Sequence, residues 1–194
     1  MSTYKLVADV SKWNPDNLVF FKQLKSRGVT AVIVKLTEGS TYRNAKAQKQ
    51  IKNAWQAGLH VHGYHYARYT TSAKAKEEAI FFCKTAKALG LYATSVLAVD
   101  VEDNSLPQNG LTALTNTFLV QTKANGYTKT DYYTMASWIW NKRLIPSTLS
   151  AKNQWIARYN AKLPGVDNVG TWQFTDNWQN LGVDMSYDFN VGAP

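Results

Sequence analysis

Short β-branched runs alternate with longer amphipathic stretches along this chain, and that rhythm limits the fold more than any single residue does. "YKLVADV" (4–10), "TAVIVKL" (30–36), "LHVHGYHYA" (59–67), "SVLAVDV" (95–101) and "TDYYTM" (130–135) read as strands. Between them lie helical stretches: "NLVFFKQLKSRG" opened by Asn14 and Pro15, 44–58, 71–90 capped by Thr71 or Ser72, and 111–126. A short helix is expected around "SWIWNKR". Strand–helix units repeating at roughly 30-residue spacing imply a parallel sheet with right-handed crossovers. After the fifth unit the rhythm breaks. "NQWIARY", "VGTWQFT" and "VDMSYDF" read as strands with no room for full helices between them. The expected fold is α/β: a shortened, irregular TIM-like barrel of five βα units followed by about three strands. An open doubly wound sheet ranks second, because no Gly-rich phosphate loop follows the first strand.

The 194 residues suffice for one such domain, with 45% hydrophobic and 18% charged residues. No run is long enough to span a membrane, and "MSTYKLVADV" lacks a signal-peptide layout. The lone Cys83 reads as a small buried hydrophobe. With 22 basic and 13 acidic residues the net charge is +9, which favours anionic partners. The basic residues are scattered over helix-like segments, which argues against a nucleic-acid groove.

In a parallel barrel the chemistry sits at the C-terminal ends of the strands. Acids and aromatics collect there: Asp9, Glu38, Tyr64 and Tyr66, Asp100 and Glu102, Tyr133, Trp155, Trp172, and Asp184 in the last strand. The opposite ends, "YKL", "TAV", "LHV" and "SVL", carry no such cluster. Asp100 and Glu102 are two apart and project from one strand face, so one of them holds its proton to higher pH. That is the requirement for a general acid. Asp103 falls on the other face and reads as a loop or capping residue. Rings beside carboxylates suit sugar stacking, while Trp55 and Trp140, on helical segments, read as core. His60 and His62 share a face that His65 does not, so no metal site is expected; His65 reads as packed inside the barrel against a hydrogen-bonding neighbour. Lys35 reads as an internal ion-pair partner. No cofactor is implied.

Seven segments carry a resemblance: "DVSKWNP", "VKLTEG", "HGYHYAR", "AVDVED", "WIARY", "WQFTD" and "GVDMSYDF". In this order they are similar to the family 25 glycoside hydrolases, the lysozymes (muramidases) common among phage endolysins. The resemblance implies the same shortened barrel. It implies hydrolysis of the β-1,4 bond between N-acetylmuramic acid and N-acetylglucosamine in peptidoglycan. It makes Glu102 the catalytic acid, Asp100 its partner, and Asp9 and Asp184 the flanking acids, with Asp188 as the alternative to Asp184. Tyr64, Tyr66 and Trp172 become saccharide contacts, alongside Glu38, Tyr133 and Trp155 from the strand ends. Where the family often has Gln or His in the first motif, this chain has Trp13. The expectation is one catalytic domain over 1–194 with no wall-binding module in this chain. It would be a monomer, made in the host cytoplasm and acting on the anionic cell wall after release, with no nucleic acid and no membrane insertion. A non-catalytic sugar-binding barrel is the rival reading.

Overall fold

The computed structural model describes residues 4–189. The strands are β1 (Lys5–Val10), β2 (Val29–Glu38), β3 (Tyr42–Arg43), β4 (His60–Tyr66), β5 (Leu97–Asp100), β6 (Thr130–Met135), β7 (Asn153–Ala157), β8 (Thr171–Thr175) and β9 (Asp184–Asp188). The helices are α1 (Leu18–Ser26), α2 (Ala47–Gln56), α3 (Ser72–Ala88), α4 (Leu111–Ala124) and α5 (Ala136–Trp140). Caps fix the helix starts. Asn17 accepts from the Phe20 N–H (3.0 Å), so α1 begins after the expected Asn14–Pro15, and Thr71 accepts from the Lys74 N–H (3.2 Å). Among the described residues no helix is long and apolar enough to cross a membrane.

The strands follow the order β1-β9-β8-β7-β6-β5-β4-β2-β3, and a further β1–β2 ladder closes the sheet on itself. The two-residue β3 hangs on the end of β2, so eight strands make the wall of a closed barrel. The expected shortened barrel is present, with one difference in direction. β9 runs antiparallel to both β8 and β1. The stretch from Asp176 to Val183 is too short for a crossover, which needs a dozen or more residues, but is ample for a hairpin.

Alternation divides each strand between two cores. Val7, Ala31, Ile33, Tyr64, Ala98, Tyr133, Trp155 and Ala157 fill the barrel interior. Outside, Val32, Val34, Leu36, Val61, Leu97, Val99 and Ile156 pack in one continuous layer with Phe21, Ile51, Phe82 and Phe118 of the helices. Cys83 is buried in that outer layer, as expected. Trp55 and Trp140 are not core: they are 44% and 53% exposed. A helical position alone does not say which face of the helix a ring occupies.

His65 is buried and hydrogen-bonded as expected, but on the outside of the barrel wall. Its Nε2 faces Glu78 Oε2 (2.9 Å), its Nδ1 faces Thr37 Oγ1 (2.8 Å), and its ring stacks on Phe118. Burial holds its pKa below the ordinary histidine value, so the neutral ring donates from Nε2 to Glu78 and accepts the Thr37 hydroxyl at Nδ1. The same Glu78 oxygen accepts from the Arg68 N–H (3.0 Å), which fixes the chain leaving β4. Removing this carboxylate leaves one buried donor, at His65, and one half-buried donor, at Arg68, unpaired. Glu78→Ala is expected to lower the unfolding free energy by about 2–4 kcal/mol, with Glu78→Gln losing less, as read by guanidinium denaturation.

Candidate active site

Four carboxylates meet at one mouth of the barrel. Asp9 stands next to the end of β1, Asp100 ends β5, and Glu102 follows two residues on. Asp184 arrives differently from the expectation. It begins β9 rather than ending it, and reaches this mouth because β9 runs backwards; Asp9 and Asp184 are direct cross-strand partners. Asp188, at the other end of β9, pairs with Lys5 at the opposite mouth, so the geometry favours Asp184 over Asp188 for this site.

Like charges placed opposite each other are unfavourable, and burial makes them more so. The titrations shift accordingly. Burial raises the Asp9 pKa well above the carboxylate range, and the Asp184 charge adds to it. Burial also raises Asp184, to about 6. A hydrogen bond joins the two, so the pair shares a proton. Asp100 is raised by burial and then by the Glu102 charge. Glu102 is raised by burial and then by the Asp184 charge, while the neighbouring Tyr133 hydroxyl and Lys35 oppose the shift. Asp100 Oδ1 is buried and has no hydrogen-bond partner.

Gln173 ties the mouth together. Its Nε2 donates to Asp9 Oδ2 (2.9 Å), and its Oε1 accepts from the hydroxyls of Tyr133 (2.8 Å) and Tyr159 (2.6 Å). Gln173 belongs to the strand-end set read from the sequence, and Tyr159 does not. Period-two alternation in "TWQFT" does carry a signal for Gln173: it points inward because Trp172 and Phe174 point outward. Lys35 pairs with Glu38 (2.8 Å), as expected of an internal ion pair. Burial alone would raise Glu38, but hydrogen bonds from Lys35 and Arg68 bring it below the ordinary glutamate range. Asp103, expected as a loop or capping residue, accepts from the Ser105 N–H (2.7 Å) and also from Arg68 and the Tyr66 hydroxyl.

A cleft of about 330 Å³ opens beside Glu102, lined by Tyr133, Ser137, Trp140, Arg158 and Tyr159 among others. Trp140 thus borders the acid; its Nε1 donates to the Gly165 carbonyl (2.8 Å), which holds the ring in place. The other expected contacts divide. Tyr66 is half-buried on the flank near Asp103, and Tyr133 touches Glu102. Tyr64 and Trp155 are buried in the barrel interior, edge to face, with the Trp155 Nε1 donating to Ser186 Oγ (3.0 Å). Trp172 is not brought into the mouth. It lies on the outer wall against Phe174 and Tyr187.

The opposite mouth is more polar than expected. A cavity of about 290 Å³ there is lined by His60, His62, Asp131, Lys152 and Asn153 along with Val7 and Ile33. The expectation rested on the starts of the first four strands, and Asp131 and Asn153 come from later ones. Burial lowers His62 to about 4 and raises Asp131 to about 6. Among the described residues no three His, Cys, Asp or Glu side chains are grouped to hold a metal ion.

A closed α/β barrel with desolvated carboxylates gathered at its mouth is an arrangement suited to acid-assisted cleavage. The sequence profile of the glycosyl hydrolases family 25 matches residues 8–183, and the chain belongs to that family. Lysozyme M1 of Streptomyces globisporus is 27% identical over 181 residues, covering 88% of this chain and 60% of the relative. The lysozyme of Streptococcus phage Cp-9 is 28% identical over 190 residues, covering 89% of this chain and 51% of the relative. The chain therefore spans between half and three fifths of these curated relatives. Among solved structures, the CTP1L endolysin superposes with a TM-score of 0.82 at 27% identity, over 96% of this chain and 67% of that one. A bacterial lysozyme from Streptomyces coelicolor shares the fold, with a TM-score of 0.81 at 22% identity, over 97% of this chain and 94% of that one.

The raised Asp184 titration has a consequence for stability. Its folded pKa of about 6 exceeds the model-peptide value of 3.8, so the fold favours the protonated form. No penalty exists below the unfolded value, and a penalty grows as pH rises through the folded one. Asp184→Asn is expected to stabilise the protein by about 1–3 kcal/mol at pH 7–8, with the gain vanishing below about pH 4. Thermal unfolding of both proteins across that range is the measurement.

Proposed function

We propose that the chain is the catalytic unit of a lysozyme that hydrolyses the β-1,4 bond between N-acetylmuramic acid and N-acetylglucosamine in peptidoglycan. The observation that carries this reading is the acid cluster: a glutamate of raised pKa facing the cleft, beside an aspartate with an unpartnered oxygen. Family membership and the lysozyme relatives support it.

In this reading Glu102 gives its proton to the glycosidic oxygen as the bond to the leaving sugar breaks. The 2-acetamido carbonyl oxygen of the muramic acid residue attacks the anomeric carbon. Asp100 Oδ1 accepts the amide N–H, which orients the group and stabilises the positive charge of the cyclic intermediate. A water then opens the ring and returns a proton to Glu102. The outcome is retention without a covalent enzyme intermediate. Asp9 and Asp184 share a proton across the mouth and keep a negative charge near Glu102, which holds its proton to higher pH. Tyr66 and Tyr133, with Trp140 and Tyr159 added, serve as the glycan contacts.

Clearing of Gram-positive cell-wall suspensions is the direct test. Glu102→Gln keeps the shape and removes the donor, and should lower the rate by about 10²–10⁴-fold with the fold intact. A folded variant retaining more than a tenth of the activity rules Glu102 out as the acid, and a wild type that binds walls without clearing them points to the sugar-binding reading. Proton NMR of a defined oligosaccharide, read before mutarotation, should show the β-anomer first. The α-anomer would mean inversion, with Asp9 or Asp184 as base. The net charge of +9 suggests that wall association is partly ionic, and clearing should weaken as salt rises past physiological strength.

A further inference from the structure

A strip of alternating cations and rings runs along one flank of the mouth. The Lys12 ammonium lies 4.6 Å from the centre of the Trp13 ring and 6.0 Å from that of Tyr42. The Lys35 ammonium lies 5.9 Å from Tyr42 and 4.3 Å from Tyr66, and the Arg68 guanidinium 4.9 Å from Tyr66. The inner end reaches Tyr66, which feels the charges of Asp100 and Glu102. The outer end is the exposed turn after β1.

The two ends differ in how their charges are matched. Lys35 is paired with Glu38, and Arg68 with Glu38 and Asp103. Lys12 has no carboxylate partner among the described residues. Its neighbour Trp13 is 82% exposed. A lone exposed ring is unremarkable on a protein surface, but the turn that carries this one is held from below. The Ser11 N–H donates to Asn14 Oδ1 (2.8 Å), Asn14 Nδ2 to the Gly182 carbonyl (2.9 Å), and Gln50 Nε2 to the Ser11 carbonyl (2.8 Å). Asn14 and Gln50 are buried, where an amide is stable only when bonded. Buried polar groups thus fix a turn whose tip is a solvent-facing indole with an uncommitted ammonium beside it. A pre-positioned ring loses little entropy on binding, and its flat face fits the apolar face of a pyranose. The flexible lysine stem lets the ammonium move from the indole to a ligand anion.

We propose that Trp13 and Lys12 form an outer saccharide subsite, which stacks a hexosamine ring on the indole and pairs that sugar's carboxylate substituent with the ammonium. The subsite selects carboxylate-bearing glycan over neutral glycan, and it rests on the reading of the mouth as a glycan cleft.

Two ligands separate the contributions: a hexasaccharide of alternating N-acetylglucosamine and N-acetylmuramic acid with free lactyl carboxylates, and the neutral chitin hexasaccharide. Calorimetry uses Glu102→Gln as the parent, so that neither ligand is cleaved, and wild-type wall clearing is measured in parallel. Trp13→Ala should weaken both ligands about five- to tenfold, the size of one lost stacking contact, with Trp13→Phe recovering most of it. Lys12→Gln should weaken only the carboxylate-bearing ligand, by about two- to threefold, and erase the preference for it. If the parent binds and the wild type clears walls, yet Trp13→Ala stays within twofold of the parent on both ligands, the outer subsite is wrong and the cleft reading stands. If the parent binds neither ligand and the wild type clears no walls, both readings fall.

Discussion

The backward run of β9 is the constraint on which the rest depends. Its ladders to β8 and β1 close the sheet, so no edge strand is left in the wall. They also turn Asp184 toward the mouth and set it against Asp9. A parallel strand in the same place would bring its own start, and Asp184 with it, to the opposite mouth. The same reversal joins β9 to β8 by a hairpin, and among the described residues no α-helix follows β7 or β8. The outer face of β8 and β9 is covered by side chains: Phe174 and Tyr187 stack at 4.3 Å, with Trp172 and Tyr4 against them.

Once the acids are assembled, burial governs their chemistry and mutual repulsion adds to it. Every carboxylate in the cluster is pushed toward its protonated form, and burial is the first cause each time. The protein offsets part of this with a neutral donor, Gln173 on Asp9. The ammonium that acts on Asp100 and Glu102, that of Lys35, is itself paired to Glu38. A free cation placed among the acids would pull their titrations down and strip the proton the cleft holds near neutral pH.

Most of the fold was legible because short Val- and Ile-rich runs at regular spacing admit few readings. The direction of β9 was not, since alternation looks the same whichever way a strand runs. Only the length of the connection from Asp176 to Val183 carried that information. The four acids were visible because charge at the end of a core strand is expensive and therefore conspicuous. Tyr159 was not, because a neutral polar residue is common and its value here lies in which atom it meets. Trp140 and Trp172 exchanged places relative to expectation: the ring on a helix borders the cleft, and the ring on a strand faces away from it. Position in an element says which face a residue can occupy, and the neighbours decide what that face becomes.

The pairing of Asp9 with Asp184 joins residues from the first and last strands. Contacts between such distant segments form late, because the loop they close carries the largest entropy cost. During synthesis the early βα units can collapse while β9 is still being made. Until β9 docks, Asp9 has no partner acid and Gln173 has no closed wall to brace. The cleft is therefore incomplete until the last strand is in place, and a chain without β9 carries most of the site's sequence without its chemistry.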